Sequence, residues 1–157
     1  MELAIEPLEG GALPALMQLL QASGLPSSDL ADAHATFLGA FDGEGLAGVV
    51  GVENCGGAGL LRSLAVREPM RGSGLGARLV AAAERMAAEA GLDSLALLTT
   101  TAAPFFERQG YVPVDRAMVA DSVRQSAEFR SICPATATCM HKRLHGLASA
   151  PNQPPSS

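Results

Sequence analysis

The sequence predicts a single domain of the α/β (α+β) class, built on one mixed sheet that is flanked by helices. Its 157 residues are the length of one ordinary domain. Hydrophobic residues make up 48% of the chain, which is enough to bury a core without disulfides or a structural metal. Extended and helical patterns alternate along the chain, with strands before and after one long helix, as is typical of this class.

Hydrophobic periodicity and turn residues locate the elements of the first half. An alternating pattern that ends at Pro7 predicts a strand, and apolar residues at helical spacing up to Ala22 predict the helix after it. Asp42-Gly43 readily takes positive φ and predicts a hairpin between the next two strands. The predicted elements are strand 3–6, helix 12–22, a short helix over 27–34, strands 36–41 and 46–53, and strand 59–66.

The second half is organised around a long amphipathic helix that Gly91 ends. An apolar run after it predicts another strand, and Gly110 ends a shorter helix that contains two adjacent phenylalanines. The predicted elements are helix 74–90, strand 92–99, helix 102–109, strand 111–114, a helix over 121–130 and strand 135–144. The polar, proline-rich end of the chain predicts one domain over 1–146 followed by a disordered tail over 147–157.

Composition argues against several classes of protein. The net charge of −5 leaves no basic surface for nucleic acid, and no apolar stretch is long enough for a membrane span. An acidic residue next to the initial methionine argues against a secretory signal, so a cytoplasmic protein is expected. The three cysteines, Cys55, Cys133 and Cys139, have no paired spacing, which predicts neither a disulfide framework nor a metal site.

A glycine-rich turn, Arg71-Gly72-Ser73-Gly74-Leu75-Gly76, joins the strand that ends at Val66 to the long helix. Glycines let the backbone approach a ligand closely, and the N–H groups at a helix start favour phosphate. By itself the pattern fits a flexible loop equally well. A Walker A loop requires Lys after its last glycine, whereas Ala77 follows Gly76, and the glycine spacing does not match a dinucleotide fingerprint.

Two landmarks in the right order resemble the GCN5-related N-acetyltransferase (GNAT) superfamily. The first is Arg-x-x-Gly-x-Gly, matched by Arg71, Gly74 and Gly76 between an apolar strand and a long helix. The second is a short helix with an aromatic pair and a following Gly-Tyr, matched by Phe105-Phe106 and Gly110-Tyr111. The resemblance covers residues 2–145. It implies a mostly antiparallel sheet, acetyl-CoA as the cofactor and transfer of acetyl to an amine.

Within the superfamily, the chain resembles the acetyltransferases of bacterial arsenic-resistance operons (the ArsN type). Leu61-Arg62-Ser63-Leu64-Ala65-Val66, Pro104-Phe105-Phe106, Glu128-Phe129, Cys133 and Cys139 carry this likeness. It implies a small amino-acid-like toxin as the acceptor, while the two cysteines are either arsenic-binding thiols or small buried hydrophobes. The alternatives are an amino-acid or protein N-terminal acetyltransferase, or a non-catalytic acyl-CoA-binding sensor. A homodimer is left open.

The resemblance also assigns cofactor-binding residues. Main-chain groups of the strand before the loop are implied to bind pantetheine, and the loop is implied to bind pyrophosphate. The superfamily frequently has a tyrosine acid four residues before the helix-ending glycine. Phe106 occupies that position here, beside the cofactor, and cannot donate a proton. The assigned residues are Leu64, Ala65, Val66, Arg71, Gly72, Ser73, Gly74, Leu75, Gly76 and Phe106.

Three further residues are candidates for catalysis and acceptor binding. Glu53, near the end of its strand, is the predicted base for the acceptor ammonium, and the alternative is an exposed strand-end carboxylate. Arg62 interrupts an apolar strand, and a buried arginine requires an anionic partner. That partner is either an acceptor carboxylate or a protein carboxylate in a structural salt bridge. Thr100, in the threonine run that ends a strand, is assigned to the substrate.

Overall fold

The computed structural model describes residues 4–8, 13–22, 35–42, 45–67, 74–119, 121–124 and 137–144. Its strands are β1 (Ile5–Pro7), β2 (Ala35–Asp42), β3 (Gly45–Asn54), β4 (Gly59–Val66), β5 (Ser94–Thr99), β6 (Val112–Pro113) and β7 (Thr138–Arg143). Its helices are α1 (Leu13–Ala22), α2 (Leu75–Glu89), α3 (Ala103–Arg108) and α4 (Asp121–Arg124), with a 3-10 turn at Arg116–Met118.

The strands form one 7-stranded sheet in the order β1-β2-β3-β4-β5-β7-β6. Every described pairing of neighbouring strands is antiparallel except that of β4 with β5, which is parallel. A parallel pair requires a crossover connection, and α2 lies in the connection between these two strands. The predicted fold class, a mixed and mostly antiparallel sheet with flanking helices, is confirmed.

The central strands are buried on both faces of the sheet, and the alternation of side chains assigns each residue to one face. Val50 of β3 and Met140 of β7 share a core cluster with the residues of α2. Their chain neighbours point the other way: Val49 packs with α1, and Cys139 packs with Val123 of α4. Helix α2 therefore covers one face, while α1 and α4 cover two separate regions of the other.

Helix α2 is amphipathic, as its sequence predicts. Gly91, with φ of 89°, follows the end of the helix in the left-handed conformation that glycine adopts without strain. One buried position is not predicted by the apolar pattern, because Glu84 lies among the apolar residues of this face. The buried residues of α2 are Leu75, Leu79, Val80, Ala83, Glu84 and Ala87.

Strand 59–66 is found as predicted, and the other strands differ from the prediction by one to three residues at one or both ends, two of them for a clear physical reason. The predicted strand 111–114 is shorter, because the Tyr111 N–H donates to the Phe106 carbonyl at 3.0 Å and closes the end of α3 instead of joining the sheet. Strand β1 includes Pro7, which the prediction treated as a stop. In the described sheet β1 is an edge strand, where a proline without an N–H is tolerated.

Several predicted elements cannot be compared with the structure. The predicted short helix over 27–34, most of the predicted helix over 121–130 and the predicted tail over 147–157 lie outside the described residues. Among the helices that are described, none is both long and apolar enough to cross a membrane.

The packing of α2 on β3 leads to a prediction about Gly48. A Cβ built on Gly48 would lie 2.9 Å from Leu79 Cδ1 and 3.1 Å from Leu75 Cδ2. Because overpacking forces neighbouring side chains apart, we expect Gly48→Ala to lower the free energy of unfolding by about 1–3 kcal/mol in urea denaturation. Ala81→Ser, on the exposed side of α2, is the control and should have little effect. An unchanged midpoint for Gly48→Ala would contradict this account of the packing.

Candidate active site

A cleft opens in the sheet between the two parallel strands. Strand β4 pairs with β5 only at Gly59 with Leu95 and at Leu60 with Ala96. Beyond these pairs both strands continue, to Val66 and to Thr99, with no further pairing between their described residues. Beyond Leu60, main-chain groups on the β5 side of β4 therefore have no described partner on β5, and buried backbone groups of this kind require a partner elsewhere.

A β-bulge lies in the diverging part of β4. On β3, Val49 pairs with Ala65 and Gly51 pairs with Arg62, so two residues of β4 oppose one residue of β3. One of the two, Ser63, has φ of 61°, a left-handed conformation that is uncommon for a residue with a side chain. A bulge bends its strand and increases the local twist. This bulge therefore lies where β4 turns away from β5.

The mouth of the cleft lies at the carboxyl ends of β4 and β5, where α2 and α3 begin. Gly74, with φ of 89°, precedes the first turn of α2, whose N–H groups have no intrahelical acceptor. A Cβ built on Gly76 would lie 3.4 Å from Phe105 Cζ and 3.9 Å from Val66 Cγ2. The structure thus brings the start of α2, the end of β4 and helix α3 together around Gly76.

The predicted cofactor-binding residues are therefore placed in part. Leu64, Ala65 and Val66 lie on the open part of β4, and Gly74, Leu75 and Gly76 lie at the start of α2. The side chain of Leu75 is buried against the sheet, which leaves its main chain to face the mouth. The loop residues Arg71, Gly72 and Ser73 lie outside the described residues.

The aromatic pair of α3 is divided between the core and the mouth. Phe106 is 6% exposed and packs edge-to-face with Tyr111, with ring centroids 5.7 Å apart. The ring that lies against Gly76 belongs instead to Phe105, whose centroid is 5.0 Å from that of Phe106. Sequence reasoning singled out Phe106 and missed Phe105. The signal in the sequence that points to Phe105 is Gly76, because a residue without a side chain leaves room for a ring.

Glu53 and Arg62 form an ion pair next to the last residue pair that joins β4 to β5. Arg62 Nη1 lies 3.5 Å from Glu53 Oε1, and Arg62 Nε donates to Ser63 Oγ at 3.1 Å. The Arg62 side chain is fully buried, whereas 13% of the Glu53 side chain is exposed. Glu53 is paired across the sheet with Leu60, and both therefore face away from α2. A protein carboxylate is thus one partner of Arg62, and Glu53 is the member of the pair that solvent reaches.

An aromatic ring lies beside this ion pair. Phe37 of β2 is paired across the sheet with Gly51, which is paired in turn with Arg62. A Cβ built on Gly51 would lie 2.6 Å from Phe37 Cε1, so the ring lies directly over the glycine. Phe37 also packs against the cluster that α1 covers. Sequence analysis missed Phe37, because only the pairing of β2 with β3 brings it to this place.

Two threonines at the end of β5 have different environments. The Thr99 hydroxyl accepts a hydrogen bond from the Ala102 N–H at 3.0 Å and so fixes the turn that leads into α3. Thr100, the predicted substrate-binding residue, is exposed at the turn between β5 and α3. Thr100 therefore lies at the mouth of the cleft, on the side opposite the end of β4.

The cysteines differ in their surroundings. Burial, reinforced by the nearby charge of Glu53, raises the pKa of the half-buried Cys55 thiol to about 11. Burial also raises the pKa of Cys139, which packs in the apolar cluster under α4. Cys133 lies outside the described residues. Within the part of the chain that the structure describes, no cluster of His, Cys, Asp and Glu side chains is arranged to hold a metal ion.

These elements coincide with a known domain family. A scan against protein-family models matches residues 33–113 to the acetyltransferase (GNAT) domain. The match includes more than half of the 157 residues and runs from β2 to β6, so it contains the cleft, α2 and α3. The chain belongs to the GNAT acetyltransferase family. This GNAT domain is accordingly an acetyltransferase, with acetyl-CoA as its acetyl donor.

Solved structures share the fold of this GNAT domain at low sequence identity. A GNAT-family acetyltransferase from Staphylococcus aureus Mu50 has a TM-score of 0.74 at 14% identity, over 91% of this chain and 99% of that chain. The PaiA N-acetyltransferase from Thermoplasma acidophilum, solved with coenzyme A, has a TM-score of 0.67 at 15% identity, over 91% of this chain and 99% of that chain.

N-acetylglutamate synthase from Neisseria gonorrhoeae, solved with coenzyme A and N-acetyl-glutamate, has a TM-score of 0.76 at 19% identity. That alignment covers 92% of this chain but 36% of the synthase chain, so the GNAT domain spans about a third of that protein. At these identities the likeness establishes the fold alone. A search of curated proteins found no significant match.

The environment of Cys55 in this GNAT domain generates a prediction. With a pKa of about 11, only about one thousandth of the thiol is ionised at pH 8, so alkylation is slow. We expect Glu53→Gln to lower this pKa and accelerate alkylation of Cys55, because the nearby negative charge is removed. Mass spectrometry of the Cys55 peptide after iodoacetamide treatment across a pH series measures the rate. Glu89→Gln, an exposed carboxylate on α2, is the control, and equal rates in both variants would contradict the prediction.

Proposed function

We propose that this GNAT domain transfers acetyl from acetyl-CoA to the amine of a small molecule, in the cleft between β4 and β5. The observation that carries the proposal is the cleft itself. The two parallel strands part after Gly59 and Leu60, and α2 begins at the open end of the cleft. Open main-chain groups of β4 then lie next to the N–H groups of a 15-residue helix, which attract phosphate. In open α/β sheets, ligands bind outside the carboxyl ends of the strands, and this cleft opens at the carboxyl ends of β4 and β5.

In this proposal, the main chain of Leu64, Ala65 and Val66 binds pantetheine as an added strand would. Gly74, Leu75 and Gly76 offer N–H groups to the pyrophosphate, as do Arg71, Gly72 and Ser73 in the preceding loop. The bulge at Ser63 and the pairing limit at Leu60 support the first assignment, because the described residues of β5 pair with β4 only as far as Leu60. Bound acetyl-CoA supplies the activated acetyl thioester and leaves as coenzyme A, whose thiolate takes its proton from water because Phe106 cannot donate one.

Glu53 is the proposed base. An ammonium must lose a proton before its nitrogen can act as a nucleophile, and a carboxylate within hydrogen-bond reach accepts it. Glu53 is the partly exposed member of the pair beside the point where β4 and β5 part, and Arg62 holds one of its oxygens at 3.5 Å. We assign Arg62 to the orientation of Glu53, because its buried guanidinium already has a carboxylate partner. The exposed Thr100, four residues beyond Ala96 along the chain, is assigned to contact with the part of the substrate that is distal to the reacting amine.

The proposed acceptor is a small amino-acid-like amine, a toxin of the type that the resemblance to ArsN-type enzymes implies. Acetylation of a panel tests this choice, with phosphinothricin, free amino acids, an N-terminal peptide and a polyamine as candidates and release of free thiol as the readout. Preference for the amino-acid-like toxin is expected. Turnover of the peptide or polyamine alone would overturn the acceptor class, and no turnover with any amine would favour a coenzyme-binding sensor.

The proposed phosphate site predicts the effect of a side chain at Gly74. We expect Gly74→Val to raise the dissociation constant for coenzyme A by about ten- to a hundredfold, which corresponds to one lost bond to a charged group. The valine both strains the backbone at φ of 89° and blocks approach to the helix start. Isothermal titration calorimetry measures the affinity.

The matched control for this experiment is Gly91→Val. Gly91 has the same φ of 89° at the other end of α2, and no described atom lies within 4 Å of a Cβ built on either glycine. Gly91→Val should therefore lower stability in the same way and leave coenzyme A affinity unchanged. Equal affinity of Gly74→Val and the parent protein would show that the phosphate site lies elsewhere.

The assignment of the base predicts that Glu53→Gln lowers kcat by about 10²–10⁴-fold, the usual contribution of a general base. Affinity for coenzyme A should not change, because the carboxylate lies outside the proposed pantetheine contacts. Retention of most of the parent kcat in Glu53→Gln would assign the proton transfer to another group.

Arg62→Lys serves as the companion variant, since a point charge replaces a two-pronged donor. An orienting role predicts a lower kcat with little change in the acceptor KM. A rise in KM of about ten- to a hundredfold with an unchanged kcat would instead assign Arg62 to an acceptor carboxylate.

A further inference from the structure

A partly buried ion pair lies on the face of the sheet that α2 covers, and the Lys142 side chain in it remains 25% exposed. Glu84, on the third turn of α2, is 6% exposed, and Lys142 Nζ of β7 donates to its two carboxylate oxygens at 3.0 and 3.1 Å. Burying a carboxylate is unfavourable unless a cation and hydrogen bonds compensate for the lost water. Neither residue takes part in the proposed chemistry, so the pair requires another explanation.

The same ammonium also holds the end of α3. Lys142 Nζ donates to the carbonyl of Gln109, the C-cap of α3, at 2.8 Å. A Cβ built on the next residue, Gly110, would lie 3.2 Å from Lys142 Cε, so the lysine stem passes directly beside the turn. A cation at a helix C-terminus is electrostatically favourable. Lys142 thus connects α2, β7 and the end of α3 through one group.

A continuous series of contacts leads from Lys142 to the mouth of the cleft. Lys142 Nζ lies 5.6 Å from the centroid of the Tyr111 ring, within the range of a cation–π contact. Tyr111 packs edge-to-face on Phe106, and Phe106 packs in the same way on Phe105. Phe105 in turn lies 3.4 Å from the position of a Cβ on Gly76.

We propose that Lys142 is a positioning residue for the cofactor site. By holding the end of α3, it keeps the Phe105 ring against Gly76 and fixes the width of the mouth where the pyrophosphate is proposed to bind. This inference rests on the proposed function, because it assumes coenzyme A binding at the start of α2. Glu84 fixes the ammonium, so that α2 and α3 are held by one shared group and cannot shift independently.

The test measures coenzyme A affinity by calorimetry, without an acceptor. Glu84→Gln with Lys142→Met removes both charges together and leaves no buried charge unpaired. We expect the dissociation constant to rise by about two- to thirtyfold, the range of coupling through packed side chains. The single variant Lys142→Arg keeps a cation at this place and should therefore retain more of the affinity for coenzyme A than the double variant does. Leu144→Ala, a buried apolar residue two positions along the chain, is the control for lost stability and should leave the affinity unchanged.

A second variant displaces Lys142 without changing its charge. Gly110→Ala, at φ of 99°, pushes against the lysine stem, whereas Gly91→Ala, at φ of 89°, has the same kind of backbone strain with no described neighbour. We expect only Gly110→Ala to weaken coenzyme A binding. In a Phe105→Leu background, replacement of Lys142 should no longer change coenzyme A affinity, because the contact that transmits its effect is already lost.

Each outcome of these experiments has a defined meaning. Unchanged affinity in both the charge-free double variant and Gly110→Ala would overturn the positioning role, as would an equal loss of affinity in Leu144→Ala. Persistence of the Lys142 effect in the Phe105→Leu background would also overturn it, since Phe105 is the proposed link. If the parent protein failed to bind coenzyme A, or if Gly74→Val bound it normally, the proposed function itself would fail instead.

Discussion

The early end of the ladder between β4 and β5 is the constraint on which the rest of the site depends. Within the described residues, β4 and β5 pair only through Gly59 and Leu60, which leaves main-chain groups of β4 without a partner on β5. The interior of a protein tolerates this only where a ligand or water takes the place of the missing strand. The bulge at Ser63 lies where the two strands part, because the extra residue that β4 places opposite β3 bends β4 there.

The parallel pairing has a second consequence, which concerns helix placement. Since β4 and β5 run in the same direction, the helices that follow them both begin at the open end of the gap. Helix α2 presents the positive end of its dipole there, and α3 presents an aromatic ring. Gly76 is the point of closest approach, where the absence of a side chain leaves room for Phe105 beside Val66. Residues of β4, α2 and α3 therefore meet at one place.

Two ion pairs lie on opposite faces of the sheet. Arg62 and Glu53 lie on the face away from α2, next to the point where the strands part, and one of them remains within reach of solvent. Lys142 and Glu84 lie on the face that α2 covers and connect it to the end of α3. A buried charge is costly unless it is paired, and each of these pairs supplies that compensation. The first pair is proposed to orient a side chain, and the second is proposed to position a helix.

Local sequence determined most of the elements of this protein. Glycines with positive φ at 74, 91 and 110 mark helix ends, and the hairpin and the long amphipathic helix follow from short-range chemistry. The order of the landmarks gave the family and with it the type of site.

Tertiary structure decided which residues meet. Glu53 was paired with Arg62, Phe37 was laid over Gly51, and Phe105 was placed against Gly76, because sheet register and helix docking join residues far apart in the chain. Periodicity predicts which side of an element is apolar, but it cannot predict that Glu84 is buried, since the lysine that compensates its charge arrives from β7, 58 residues later.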